Sequence, residues 1–383
     1  MTPRPTIMMV GPRPAGGWMS IKNYTEATAA TAGTFADVET RVASWWAPRP
    51  IETYLDRRRG RQRLQLDDAD DFDIVHFADL GLGHLVNQVR GARTVVTCHD
   101  LMPFFVDGFY AGRRDRLFGR ALLRAPMRGA LKGDRLLTVS ECSARDICRL
   151  LEVGRERISV VGVPISHTYA PRPNAEAALR AEGIELPSGP KVMSIGDCAR
   201  YKNLELLIRA MATPALSGAH LVRVGGRLSS GLVRLAETLG VAGRVVELGP
   251  VSREAVVCLY SACDVVAQPS SYEGFGMPVA EAMACGTPVV CSDRGALPEV
   301  AGGAAMVIPL DPAAPGKNPE VAIAFGHALE RAIDDELFAA ELREKGLRRA
   351  VAFRPETLAP LLEAAYALAM GRAGTPAFES AAG

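Results

Sequence analysis

A chain of 383 residues is long enough for two domains of ordinary size. Its 48% hydrophobic and 23% charged content, with a formal net charge of +1, excludes a disordered chain and a general nucleic-acid binder. No apolar run reaches the roughly 18 residues needed to span a bilayer. The opening MTPRPTIMMVGPRP also lacks the apolar core and cleavage site of an export signal, so a cytoplasmic protein is expected.

In chain order, short β-branched runs predict strands over 7–10, 74–78, 94–97, 136–139 and 158–161. A second set falls over 191–195, 220–224, 245–248, 264–268, 288–291 and 306–308. Longer helical stretches alternate with both sets, which is the pattern of parallel α/β architecture. Residues 171–190 (PRPNAEAALRAEGIELPSGP) flank a weak helix with Pro, Gly and Ser clusters and read as a linker. The expected organisation is therefore two Rossmann-like parallel-sheet domains, 1–170 and 191–352, facing a central cleft. An Ala/Leu-rich amphipathic helix follows within 353–372, and a disordered tail is expected over 373–383.

Open α/β sheets bind ligands beyond the carboxyl ends of their strands. GPRPAGGW trails the first predicted strand, and His99–Asp100 trail the third. GDCARYKN, GGRLSSG, GPVS, QPSSYEGFG and SDRGALPE each follow a strand of the second half. Structural turns alone would scatter over both rims; here the unusual residues gather on one.

The richest segment is 270–291, SSYEGFGMPVAEAMACGTPVVC. Glu273 and Glu281 stand eight positions apart around a glycine-rich turn. Pro278 suits a first helical turn, and Gly286 suits a stop, so a helix is predicted over 277–284. Its unbonded N–H groups and positive dipole end would face the space beside Glu273, an arrangement that binds anions. Glu281, one turn inside, could accept hydrogen bonds from a neutral diol such as a ribose. An anion cradle, a diol acceptor and a second carboxylate together describe a nucleotide-sugar site.

This segment resembles the E-x7-E signature of the retaining glycosyltransferases of family 4, the glycogen-synthase-like group. VMSIGDCARYKNLELLIRAMA, VVELGPVSREAVVCLYSACDVVAQPSSYEGFG and GTPVVCSDRGALPEVAG extend the resemblance from about 191 to 310. The first half matches more loosely, through VTCHDLMPF, VSECSARDI and the pair Gly16 and Gly17. The resemblance implies the two-domain GT-B fold, with the C-terminal helix crossing back onto the first domain. It implies transfer of a hexose-type sugar, with retention, from a UDP- or GDP-sugar to a glycan, a lipid-linked glycan or a small glycoside. It further implies that Lys202, assisted by Arg200, holds the donor diphosphate, so that neither metal nor cofactor is required. Glu273 would bind the transferred sugar, the backbone of Gly274, Phe275, Gly276 and Met277 its hydroxyls, and Glu281 the ribose. His99 would lie near the anomeric carbon, with Gly16 and Gly17 approaching the diphosphate or acceptor. One residue departs from the pattern: Asp197 follows the strand glycine where many members have arginine, and a carboxylate there repels a diphosphate.

Two other readings remain open on sequence alone, a sugar-nucleotide epimerase of the same fold and a non-catalytic nucleotide-sugar-binding partner. No complete G-x-G-x-x-G follows a strand, which argues against a dinucleotide dehydrogenase. Ser140 is expected to cap a helix beginning near Ser143. Asp71-x-Asp73 precedes a strand and reads as a solvated turn, and RRRGRQR (57–63) as a loop. The eight cysteines lack metal-ligand spacing and read as free thiols. Within 113–135, Arg116, Arg120, Arg124, Arg128 and Lys132 recur every fourth residue beside an apolar stripe, the pattern of a helix lying on an anionic membrane. Residues 1–170 hold 24 basic and 19 acidic side chains, a balance of +5 that leaves −4 for the rest of a +1 chain. This charge would suit a lipid-phosphate acceptor or peripheral attachment to the inner face of a membrane.

Overall fold

The computed structural model describes residues 3–12, 19–43, 66, 68–105, 126–311 and 316–372. The chain divides into two compact units. Among the described residues, the first joins those up to Pro164 with those from Arg354 to Arg372, and the second runs from Ile165 to Phe353.

The first unit is built on a parallel sheet of β1 (Thr6–Pro12), β2 (Asp37–Ala43), β3 (Ile74–Phe77), β4 (Arg93–Cys98), β5 (Arg135–Thr138) and β6 (Ile158–Val160). The spatial order is β2-β1-β3-β4-β5-β6. Alternate residues of each strand face opposite sides. Met8, Val75, Val96 and Leu136 pack into one core with Leu82, Leu85 and Ile147. Ile7, Ile74, Val95 and Leu137 pack on the other face against Leu362, Ala365 and Tyr366 of the C-terminal helix Pro355–Ala369. Helix Met19–Ala32 lies beside that helix.

β2 was not anticipated. Its sequence DVETRVA holds no apolar run, and only Ala43 is buried, because the strand forms an outer edge of the sheet. Ser140 does cap helix Glu141–Leu151, its hydroxyl accepting from Ser143 N at 3.0 Å. Asp73 is a structural acid, accepting from Thr6 N at 2.8 Å and Thr6 Oγ1 at 3.1 Å. The 57–63 loop, residues 113–125 of the basic segment and the 373–383 tail lie outside the described residues. Of that basic segment, Lys132 donates to Asn87 Oδ1 at 2.9 Å.

The second unit carries β7 (Lys191–Gly196), β8 (His220–Gly225), β9 (Val245–Gly249), β10 (Val265–Gln268), β11 (Val289–Ser292) and β12 (Met306–Ile308). Their parallel order is β12-β11-β10-β7-β8-β9. The winding reverses between β7 and β10, and crevices at such reversals are where this architecture takes ligands. The 171–190 segment supplies helix Ala175–Ala181, which packs on helix Arg253–Ala262 inside this unit. All eight cysteines are free. Among the described residues no helix is long and apolar enough to cross a membrane, and no group of His, Cys, Asp or Glu is arranged to hold a metal ion.

A buried hydrogen-bonded chain threads the first unit. Tyr366 Oη lies 2.8 Å from His76 Nδ1, and His76 Nε2 lies 2.8 Å from Thr97 Oγ1. Thr97 is in turn 3.2 Å from Tyr24 Oη. Burial pushes the His76 imidazole down to about 3, so the ring is neutral in the fold. The unfolded chain, with an ordinary histidine near 6.5, binds the extra proton between these two values. Stability is therefore full above about pH 6.5 and falls as pH drops toward 3, by about 1.4 kcal/mol per pH unit from this group. Urea unfolding of wild type and His76→Gln between pH 7 and 5 measures it: the variant is expected to lose about one proton's worth of pH dependence.

Candidate nucleotide-sugar site

The β7 and β10 loops are stitched together before any ligand arrives. Asn203 adopts a left-handed conformation (φ 55°) between the single turn Arg200–Lys202 and helix Leu204–Met211, and its side-chain amide donates to Pro269 O at 3.0 Å. Ser271 N donates to Tyr201 O at 2.7 Å. These two bonds fix Lys202 opposite Glu273. Lys202 Nζ donates to Glu273 Oε1 at 2.8 Å, with the two side chains 14% and 9% exposed.

The same oxygen takes two more donors, Gln268 Nε2 and Ser270 Oγ, each at 2.7 Å. Gln268 also donates to Ser270 Oγ at 2.9 Å, so these two side chains are locked to each other beside the carboxylate. Among the described residues Glu273 Oε2 has no hydrogen-bond partner. The carboxylate is thus held by one oxygen and presents the other. Nearly buried ion pairs need such extra hydrogen bonds, since the Coulomb attraction alone does not repay desolvation.

The β11 loop supports this arrangement from behind. Ser292 Oγ donates to Ser270 O at 2.5 Å, and Ala296 N donates to Glu273 O at 2.9 Å. Gly295 has φ +61°, and a Cβ there would meet Glu273 O at 2.3 Å, so only glycine lets the two loops approach. Gly276 caps helix Met277–Ala284 at φ +96°, in the bounds expected for that helix. Gly274 and Gly276 are buried and Met277 half-buried at this helix mouth. The Phe275 side chain packs edge-on against Phe353, with ring centroids 5.3 Å apart, so its backbone alone faces the helix mouth.

Glu281 lies one turn into the helix and is buried. Its Oε2 accepts from Tyr260 Oη at 2.8 Å, and Tyr169 also hydrogen-bonds it. Burial raises the Glu281 carboxyl above the usual range, partly offset by these phenols. Arg200 is exposed. Asp197 is exposed too, and its carboxylate accepts from Ala199 N at 3.2 Å, closing a turn within its own loop.

His99 belongs to the first unit. The half-buried ring donates from Nε2 to Ala78 O at 2.9 Å and meets the edge of Tyr24 at a centroid distance of 4.5 Å. Burial lowers its pKa, which leaves a neutral ring with Nδ1 as the lone-pair nitrogen. Asp100 Oδ1 accepts from Met102 N at 3.0 Å. Gly16 and Gly17 lie outside the described residues. The structure therefore gathers Lys202, Glu273, Gly274, Gly276, Met277 and Glu281 on one rim of the second unit. Sequence reasoning missed Gln268, Ser270, Asn203 and Tyr260; a polar residue closing the apolar strand VVAQ was the one available signal.

The chain matches the family model for group 1 glycosyl transferases over residues 178–348 and that for glycosyltransferase family 4 over 25–169. It is 33% identical over 265 residues to the O-antigen chain mannosyltransferase B of Escherichia coli, covering 68% of this chain and 67% of that one. It is 38% identical to the D-inositol 3-phosphate glycosyltransferase of Mycolicibacterium smegmatis over 174 residues, 44% of this chain and only 39% of that protein's length. Among solved structures, the sucrose-phosphate synthase of Thermosynechococcus elongatus superposes with a TM-score of 0.71 at 20% identity, over 93% of this chain and 96% of that one. Anabaena HepE, solved in complex with UDP-glucose, superposes with a TM-score of 0.66 at 18% identity, over 94% and 98%. The chain belongs to the family 4 glycosyltransferases and has their GT-B fold.

Proposed function

We propose that this glycosyltransferase moves a hexose from a UDP- or GDP-sugar to a glycan or lipid-linked acceptor hydroxyl, with retention and without a metal ion. The observation that carries the reading is the Lys202–Glu273 pair, set at the sheet's reversal point and beside a helix mouth. The mannosyltransferase relative supports a hexose and a polysaccharide acceptor, and the UDP-glucose-bound neighbour supports a nucleoside diphosphate leaving group.

In this reading the bond between the anomeric carbon and the diphosphate oxygen breaks, and its electron pair leaves on the diphosphate. Lys202, the Met277 N–H and the positive dipole end of helix Met277–Ala284 stabilise that charge. Arg200, exposed on the same loop, swings onto the outer phosphate. Glu273 hydrogen-bonds the transferred sugar through Oε2, while the ammonium offsets the repulsion between its carboxylate and the diphosphate. The acceptor oxygen bonds the anomeric carbon on the same face, and its proton passes to the departing phosphate oxygen. His99 lies on the acceptor side, Gly16 and Gly17 let the backbone approach the diphosphate or the acceptor, and Glu281 reads the ribose diol. The protein works in the cytoplasm, held on the inner membrane face by the basic 113–135 segment.

Thermal-shift screening against UDP-, GDP-, ADP- and dTDP-sugars identifies the donor. A ligand at 100 times its Kd should add about 2.7 kcal/mol of stability. With that donor, transfer should persist in excess EDTA, and NMR of the product should show the donor's anomeric configuration; an inverted product overturns the mechanism. Lys202→Ala should lower kcat by about 10²–10³, as loss of one charge-stabilising donor does. Glu281→Ala should instead raise the donor KM. Because burial raises the Glu281 carboxyl, its anionic form is lost as pH falls through that raised value, so the wild-type donor KM should climb at a higher pH than an ordinary glutamate would give. Sedimentation with anionic liposomes at low salt should recover the protein in the pellet, and high salt should release it; no binding at low salt excludes the membrane role.

A further inference from the structure

Arg223, in the middle of β8, is 1% exposed and among the largest fully buried side chains of the chain. A buried guanidinium is costly unless its protons are satisfied. Among the described residues no carboxylate pairs with it. Apart from a 4.0 Å contact of Nη2 with Cys198 Sγ, its partners are backbone carbonyls: Nη1 donates to Ser194 O at 3.0 Å and Val224 O at 3.4 Å. Nη2 is shared among Gly196 O at 2.8 Å, Asp197 O at 3.1 Å and Gly226 O at 3.2 Å. Nε is buried without a partner.

Gly196 ends β7 beside Lys202, Asp197 and Gly226 open the loops after β7 and β8, and Ser194 and Val224 lie in the strands themselves. A Cβ on Gly196 would lie 3.4 Å from Lys202 Cε and 3.8 Å from its Nζ. In a planar trans peptide the C=O and the following N–H point in opposite directions. Drawing the carbonyls of Gly196, Asp197 and Gly226 inward onto Arg223 therefore turns the N–H groups of Asp197, Cys198 and Arg227 away from the cation. Neither Cys198 N–H nor Arg227 N–H donates to a described residue. Successive N–H groups turned away from a buried positive charge are suited to donate to an anion, and Lys202 lies beside the same loop. The charge also offsets the Asp197 carboxylate on the same loop.

We propose that Arg223 is a positioning residue for the donor diphosphate, withdrawing loop carbonyls from the pocket beside Lys202 and lending it a buried positive charge. The inference rests on the nucleotide-sugar reading of that pocket. It concerns the phosphates alone, so its signature is the gain in affinity of a nucleoside diphosphate over the nucleoside.

The test is calorimetric titration of the full chain with UDP, uridine, GDP and guanosine, for wild type, Arg223→Met, Arg223→Lys and Lys202→Ala. Arg223→Met is expected to lose at least tenfold of the diphosphate gain, with nucleoside affinity changed less than twofold. Arg223→Lys, which keeps the charge but not the planar fork, is expected to recover part of it. An Arg223→Met protein that keeps the gain within twofold overturns the inference alone, as does one whose nucleoside and diphosphate affinities fall by the same factor. A wild type with no gain for either diphosphate overturns the site reading and the inference with it. Gly226→Ala covers the case in which Arg223→Met fails to fold. Its Cβ would lie 3.0 Å from Asp197 Cα and 3.1 Å from Cys198 N, displacing the loop with Arg223 intact. It should lose at least threefold of the gain, and an undiminished gain overturns the proposal.

Discussion

The second unit is organised around one oxygen atom. Glu273 Oε1 accepts from an ammonium, an amide and a hydroxyl at once, and each donor reaches it from a separately anchored position. Lys202 is fixed by the turn that Asn203 and Tyr201 tie to the β10 loop; Gln268 closes β10 itself; Ser270 is held through its carbonyl by Ser292. A carboxylate held in this way has no rotameric freedom left to spend when a ligand binds, which is the preorganisation that binding and catalysis both exploit.

That convergence depends on topology. Parallel strands deliver their following loops to one rim, and at the reversal between β7 and β10 the loops after these two strands lie side by side and bond to each other. The lysine comes from one side of the reversal and the carboxylate from the other. Neither residue is close to its partner in sequence, yet strand order alone makes them neighbours.

Much of this could be read from the residues. Central parallel strands are buried on both faces, so IMMV, TVVTC and PVVC announce themselves as continuous apolar runs. The edge strand DVETRVA has one covered face at most and carries no such signal. Helix Met277–Ala284 was legible because Pro278 suits its first turn and Gly286 its stop, by backbone chemistry that hardly depends on context. The polar residues buried inside strands were not. His76 in IVHF and Arg223 in LVRV interrupt apolar runs without showing what would satisfy them once buried. Their partners are a tyrosine hydroxyl and a set of loop carbonyls, which exist only once distant segments have met. Local pattern has no access to acceptors that the tertiary structure creates.

The first unit's division between two ends of the chain has a consequence for biosynthesis. The strands carrying Ile7, Ile74, Val95 and Leu137 leave the ribosome long before Leu362 and Tyr366, and Tyr366 reaches His76 across 290 positions. At about 5–20 residues per second, the stretch from Ile165 to Phe353 takes on the order of ten to forty seconds to synthesise. Throughout that interval the part of one sheet face that Leu362, Ala365 and Tyr366 will cover, beside helix Met19–Ala32, lacks its partner, while the later unit, contiguous in the chain, can close on its own. The half translated first is completed last, and its greasy surface is a substrate for chaperones until the final helix arrives.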